Sequence, residues 1–114
     1  MLAGLRDPHL AAALKAMHAA PGACWTVNRL AQTASLSRSV FAERFAAPVG
    51  VTPMQYVGSL RMRLAGRLLA ESRTTIATLA DESGYASERA FRVAFQRHFG
   101  LSPAAWRRAA GLMD

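Results

Sequence analysis

Apolar residues recur along this chain at helical spacing, and the runs that carry them are opened and closed by residues with capping chemistry. Leu10, Ala13, Leu14 and Met17 mark one face of a first helix over Leu10–Ala20. Asp7 is placed to cap it, Pro8 sits at its first helical position, and Pro21-Gly22 stops it. Thr26 opens a short second helix with Val27, Leu30 and Ala31 on one side. Ser37 opens a third with Val40, Phe41, Arg44 and Phe45, and Pro48 and Gly50 are expected to end it. Thr52-Pro53-x-Gln55 reads as a cap, a first-position proline and a capping-box glutamine. It begins the longest periodic stretch, through Glu71, with Val57, Leu60, Leu64, Leu68 and Leu69 as its stripe. Gly66 inside that stretch costs about 1 kcal/mol against alanine, which close packing against a neighbour would explain. After Ser72-Arg73-Thr74 the pattern restarts. Ile76, Leu79 and Ala80 form a short helix ending near Gly84; Ser87 caps another with Phe91, Phe95 and Phe99, closed by Gly100; Ser102-Pro103 caps a last one anchored by Trp106. No stretch alternates with period two for long enough to make a strand. The expectation is an all-α chain of about seven helices.

The pattern also repeats. Thr26-Val27-x-x-Leu30-Ala31 recurs as Thr75-Ile76-x-x-Leu79-Ala80, an offset of 49 residues. From Ser37 the offset becomes 50: Ser37, Phe41, Phe45, Gly50, Thr52, Pro53 and Tyr56 match Ser87, Phe91, Phe95, Gly100, Ser102, Pro103 and Trp106. Each copy is a short helix, a tight turn and a serine-capped helix with an aromatic face, which is the layout of a helix-turn-helix. In the second copy Gly84 stands where a left-handed residue is wanted. The expected organisation is therefore one DNA-binding domain over 1–114. A first helix-turn-helix subdomain (7–50) and a second (75–110) are joined by a long linker helix (52–71).

Charge sharpens this picture. Lys+Arg total 14 against 7 Asp+Glu, a formal net charge of +7, and all the basic residues but Lys15 are arginine. Such a surface favours phosphate backbones or anionic lipid heads, and the arginine fork suits phosphate and guanine. The apolar faces are shared among several helices, as a core requires, so a membrane-surface helix is not expected, and no apolar run approaches a membrane span. The N-terminus has no signal-peptide pattern, so the cytoplasm is the expected location. One cysteine, Cys24, excludes an internal disulfide, and beside Trp25 it is expected to be a small buried hydrophobe. His9, His18 and His98 lack metal-ligand spacing, and the neighbouring Asp81 and Glu82 cannot face one point on a helix. No phosphate loop, catalytic triad or metal motif is present. No enzyme activity, metal or cofactor is expected. The rival reading from another class is a helical protein–protein interaction module, such as a co-regulator binding RNA polymerase or a partner regulator. Exposed apolar residues on the outward faces would favour it.

The stretch from Ile76 through Gly84-Tyr85-Ala86-Ser87-Glu88-Arg89-Ala90-Phe91, closing with Phe99-Gly100-Leu101-Ser102-Pro103, resembles the signature of the AraC/XylS family of bacterial transcription regulators. Gly50-Val51-Thr52-Pro53 to Tyr56, then Arg61, Ala65 and Leu68-Leu69, is similar to that family's linker helix. Gly84-Tyr85-x-Ser87-Glu88-x-x-Phe91 most resembles the branch with a cupin-type effector domain. The resemblance implies two helix-turn-helix subdomains bridged by one long helix, and sequence-specific binding of double-stranded DNA. It also implies contact with RNA polymerase from the face away from DNA, with Asp81-Glu82 as candidates. Family members usually carry an effector or dimerisation domain upstream, which is expected to be missing from this chain.

The expected contacts lie opposite the aromatic faces. In the first recognition helix they are Arg38, Ser39, Ala42 and Glu43; in the second they are Ser87, Glu88, Arg89, Arg92 and Val93. Ser37, Arg107 and Arg108 are candidate phosphate contacts. Two positions depart from the family pattern: Glu43 and Val93 stand where the family commonly has a base-reading arginine. Glu43 could accept from cytosine N4, or pair with Arg44 or Arg38. Arg61 is a candidate brace between the subdomains. A linker helix of about twenty residues would be about 30 Å long. One turn of B-DNA is about 34 Å, so two sub-sites about ten base pairs apart are expected.

Overall fold

The computed structural model describes residues 6–111. Among them are seven helices: α1 (Pro8–Ala19), α2 (Val27–Thr33), α3 (Arg38–Val49), α4 (Pro53–Glu71), α5 (Ile76–Glu82), α6 (Glu88–Phe99) and α7 (Pro103–Ala109). The caps act as the sequence indicates. Asp7, Thr26, Ser37, Thr75, Ser87 and Ser102 each accept a hydrogen bond from a backbone N–H in the first turn of the helix that follows. At α4 the capping box is reciprocal: Thr52 N donates to Gln55 Oε1 at 3.0 Å and Gln55 N to Thr52 Oγ1 at 3.2 Å. Pro48 does not end α3. It lies in the last turn, where it removes a single intrahelical bond, and the helix runs on until Gly50 (φ 89°) donates to Ala46 O.

The chain divides into two compact units between Leu60 and Arg61, inside the expected linker. In unit 1, α1, α2, α3 and the first turns of α4 enclose Leu10, Leu14, Met17, Trp25, Leu30, Phe41, Phe45, Val57 and Leu60. In unit 2, the remainder of α4 with α5, α6 and α7 encloses Met62, Ala65, Leu69, Leu79, Phe91 and Phe95. Burial of rings this complete makes each Phe→Ala change worth about 3–5 kcal/mol. The long helix joins the two units, and its two halves contribute residues to different cores. This corrects the expected stripe. Leu64 and Leu68 are only half-buried, and Met62 and Ala65, with Leu69, take the interior places.

Gly66 is explained by packing. A Cβ there would meet Trp106 Cζ2 at 3.2 Å. The Gly66 carbonyl accepts from Trp106 Nε1 at 2.9 Å, and the indole also packs on Phe99, with ring centroids 4.3 Å apart. Cys24 is exposed rather than buried. Trp25 takes the inward position beside it and donates Nε1–H to Ala20 O at 2.8 Å.

Candidate nucleic-acid interface

In α6 the inward residues are Phe91 and Phe95. Side chains advance about 100° per residue, so Val93 points directly outward, with Arg89 and Arg97 one turn to either side of it. Val93 is 50% exposed, and both arginines are exposed. Among the described residues neither arginine has an ion-pair or hydrogen-bond partner. Arg97 was not among the sequence candidates, although its spacing of four from Val93 marks the same face. Arg92 lies on the flank and is held there. Its Nε and Nη2 both donate to Glu88 Oε2, at 2.8 and 2.6 Å. Ser87, at the N-cap, accepts from Ala90 N at 3.0 Å, which leaves its own hydroxyl proton available to an incoming acceptor.

In α3 the inward residues are Phe41 and Phe45, so Glu43 points outward with Ser39 one turn before it. Ala42 is half-buried on the flank, and Arg38 and Ser39 are exposed. Val40 is 37% exposed. Glu43 makes no ion pair among the described residues. Arg44 reaches Asp7, at 3.6 Å, while the side chain of Arg38 has no ion-pair partner among the described residues. Ser37 accepts from Val40 N at 3.3 Å as the N-cap.

The two C-terminal arginines part company. Arg107 was expected to touch phosphate, but its Nε donates to Leu69 O at 3.1 Å and its Nη2 to Thr74 O at 2.7 Å. These bonds satisfy carbonyls at the end of α4 and in the following turn, so Arg107 is a brace inside unit 2. Arg108 beside it is exposed. The Arg61 guanidinium lies over the Tyr85 ring of unit 2, 5.9 Å from the centroid. Burial raises the pKa of the Tyr85 hydroxyl, and the Arg61 charge offsets part of that rise.

Other chemistry-bearing side chains are engaged in packing. His9 Nδ1–H donates to Ala34 O at 2.7 Å, and His18 Nε2 meets the Tyr56 hydroxyl at 2.7 Å. No group of three or more His, Cys, Asp or Glu that could hold a metal ion is found among the described residues. No described helix is long and apolar enough to cross a membrane. Asp81 and Glu82 are exposed on α5.

Known proteins share this arrangement. A family profile described as a helix-turn-helix domain matches residues 30–109. An AraC-like transcription regulator of Streptomyces lividans is 47% identical over 94% of this chain, which spans 35% of its length. The regulator AlkR of Acinetobacter baylyi is 44% identical over 93% of the chain, again 35% of its own length. The DNA-binding domain of the global transcription factor AdpA, solved in complex with a target DNA, superposes with a TM-score of 0.84 at 34% identity, covering 90% of this chain and 92% of that one. An AraC-type regulator from Chromobacterium violaceum shares the fold, with a TM-score of 0.85 at 23% identity, covering 96% and 97% of the two chains. On these matches, and on the repeated unit that carries them, the chain belongs to the AraC-type family of helix-turn-helix transcription regulators.

Proposed function

We propose that the chain binds double-stranded DNA sequence-specifically within a transcription regulator, with α3 and α6 each entering the major groove. The observation that carries this reading is the outward face of α6. Unpaired Arg89 and Arg97 flank an exposed Val93 directly opposite the buried rings. Arginine supplies paired donors for guanine O6 and N7, and valine an apolar surface for a thymine methyl. In α3 the contacts are Arg38, Ser39 and Glu43, with Glu43 accepting from cytosine N4. Ala42, half-buried, offers at most its methyl group. Ser37, Ser87 and Arg108 hold phosphates, joined by Arg97 where it does not reach a base. The likeness to the AdpA domain supports the assignment, because that domain is seen on its target DNA.

The chain spans 35% of the length of the first relatives it matches. The activity of a whole protein is therefore part of the proposal. An effector or dimerisation domain would supply the regulation, exposed Asp81 and Glu82 would face RNA polymerase, and the protein would act in the cytoplasm.

Selection from randomised duplex DNA tests the reading. The expected result is an enriched motif, with log K falling against log salt at a slope of roughly −4 to −7 as about five to eight phosphates are neutralised. No enrichment, with affinity insensitive to salt, would overturn it in favour of a protein–protein interaction module.

A further inference from the structure

Arg92 is the one candidate base-reading arginine that the fold holds in place. Glu88 and Arg92 sit at i and i+4 on α6, with the glutamate toward the N-terminus, the favourable order for such a pair. One carboxylate oxygen receives both Nε and Nη2, at 2.8 and 2.6 Å. That fork fixes the plane of the guanidinium and draws it back one turn toward the start of the helix. This is the end that a helix-turn-helix presents to base edges. The two donors on Nη1 and the second proton on Nη2 stay free. In unit 1 the matching positions are Arg38 and Ala42, so no such pair exists there.

We infer that Glu88 is a positioning residue for base reading: it commits Arg92 to a base edge and keeps it from the phosphate backbone. Arg92 stands on the flank of α6, about 100° round from Phe91, where an unrestrained arginine would swing to the nearest phosphate. The Glu88 carboxylate opposes that swing in two ways. It holds the side chain by hydrogen bonds, and its negative charge repels a phosphate that approaches the same guanidinium. Discrimination at the base that Arg92 reads therefore depends on a residue that need touch no DNA.

The inference rests on the DNA-binding reading above, and the experiment separates the two. Wild type, Glu88→Ala, Glu88→Gln, Arg92→Ala and the double variant Glu88→Ala/Arg92→Ala are compared on the selected motif, on single-base variants of it and on random duplex. Circular dichroism and thermal melts confirm that each is folded. Glu88→Ala is expected to lose about tenfold in discrimination at one base position. Its affinity for random DNA should rise, and its salt slope should steepen by about one as Arg92 takes a phosphate. Glu88→Gln keeps an acceptor oxygen and should restore the base preference. In the Arg92→Ala background the Glu88 change should leave the preference at that position unaltered. A purely structural role for Glu88 at the start of α6 would move the melting temperature and neither the salt slope nor the preference. The inference is overturned if Glu88→Ala leaves both unchanged, or if its effect persists without Arg92. A wild type that selects no motif would instead overturn the DNA-binding reading, and the inference with it.

Discussion

In unit 1 the rings of Phe41 and Phe45 lie 5.7 Å apart at 47°, and in unit 2 Phe91 and Phe95 repeat the same distance and angle. The next ring follows suit, edge-on, as Tyr56 against Phe45 and as Trp106 against Phe95, at 5.8 and 5.7 Å. The turns match as well. Leu36 N donates to Ala31 O and Tyr85 N to Ala80 O, both at 3.0 Å. On this common frame the outward faces differ. The face of α6 carries Arg89, Arg92 and Arg97; that of α3 carries Arg38, Ser39 and Glu43, with Arg44 turned to Asp7. Frame positions answer to a core that tolerates little change, whereas outward positions are free to diverge. On the proposed reading, the richer set of arginines on α6 predicts that it contributes more affinity than α3.

The largest expected effect tests whether both units read at all. Inserting five base pairs between the two sub-sites turns one of them to the opposite side of the duplex. If α3 and α6 both read, this should weaken binding at least about tenfold, toward the affinity of a single half-site. Equal affinity for both spacings, measured by gel shift or fluorescence anisotropy, would mean that only one of the two helices reads.

Next come the arginines. Arg89→Ala should cost about 1–3 kcal/mol on the selected site and relax one base position. Arg38→Ala should cost less, about 1 kcal/mol. The measurement is Kd on specific and random duplex for each variant. Equal losses for the two would erase the asymmetry drawn between the units.

The fold was legible in the sequence because its signals are local. Thr26, Ser37, Thr75, Ser87 and Ser102 cap helices by bonding a backbone N–H three residues on, and such a signal needs no knowledge of the rest of the chain. Gly66 was legible as a close approach, though not its partner, which lies 40 residues away. What failed depended on competition among neighbours. Cys24 and Trp25 contend for one inward position, and the larger apolar surface wins. Met62 and Ala65 were missed because one stripe was traced along a helix that serves two cores. At the site, the outward faces followed from the buried phenylalanines. The partners of the charges did not: Arg107 could be seen to be basic, but not that two carbonyls would take its donors.

A smaller effect lies in the turns. Ser35 and Gly84 occupy matching places, and both have positive φ, 58° and 87°. A left-handed conformation costs a residue with a Cβ about 1–2 kcal/mol, part of which a glycine returns through the freer unfolded chain. Ser35→Gly should therefore stabilise unit 1 by about 0.5 kcal/mol. Gly84→Ala should destabilise unit 2 by about 1 kcal/mol. Urea denaturation followed by circular dichroism reads both. Changes of the same sign would contradict the view that unit 1 carries turn strain that unit 2 avoids.

The smallest expected effect reverses that advantage. Residues 34 and 83 close the short helices α2 and α5, and each donates its backbone N–H to a leucine carbonyl at 2.9 Å. Ala34 is buried in unit 1; in unit 2 the place belongs to Ser83, fully buried, whose Oγ has no partner among the described residues. An unpaired hydroxyl taken from water costs about 1–3 kcal/mol, as mutant proteins show. Its removal leaves a gap of a single atom, and the dispersion attraction forfeited around that gap offsets part of the gain. Ser83→Ala should thus leave unit 2 unchanged or more stable by up to about 1 kcal/mol. The mirror change, Ala34→Ser, should destabilise unit 1, because it introduces the same unpaired group into the matching site. Urea midpoints at constant m value measure both, and DNA affinity should not change, since neither residue reaches an outward face. A clear loss of stability in Ser83→Ala would mean that the hydroxyl is hydrogen-bonded in solution, and the two turns would then differ in chemistry and not only in strain.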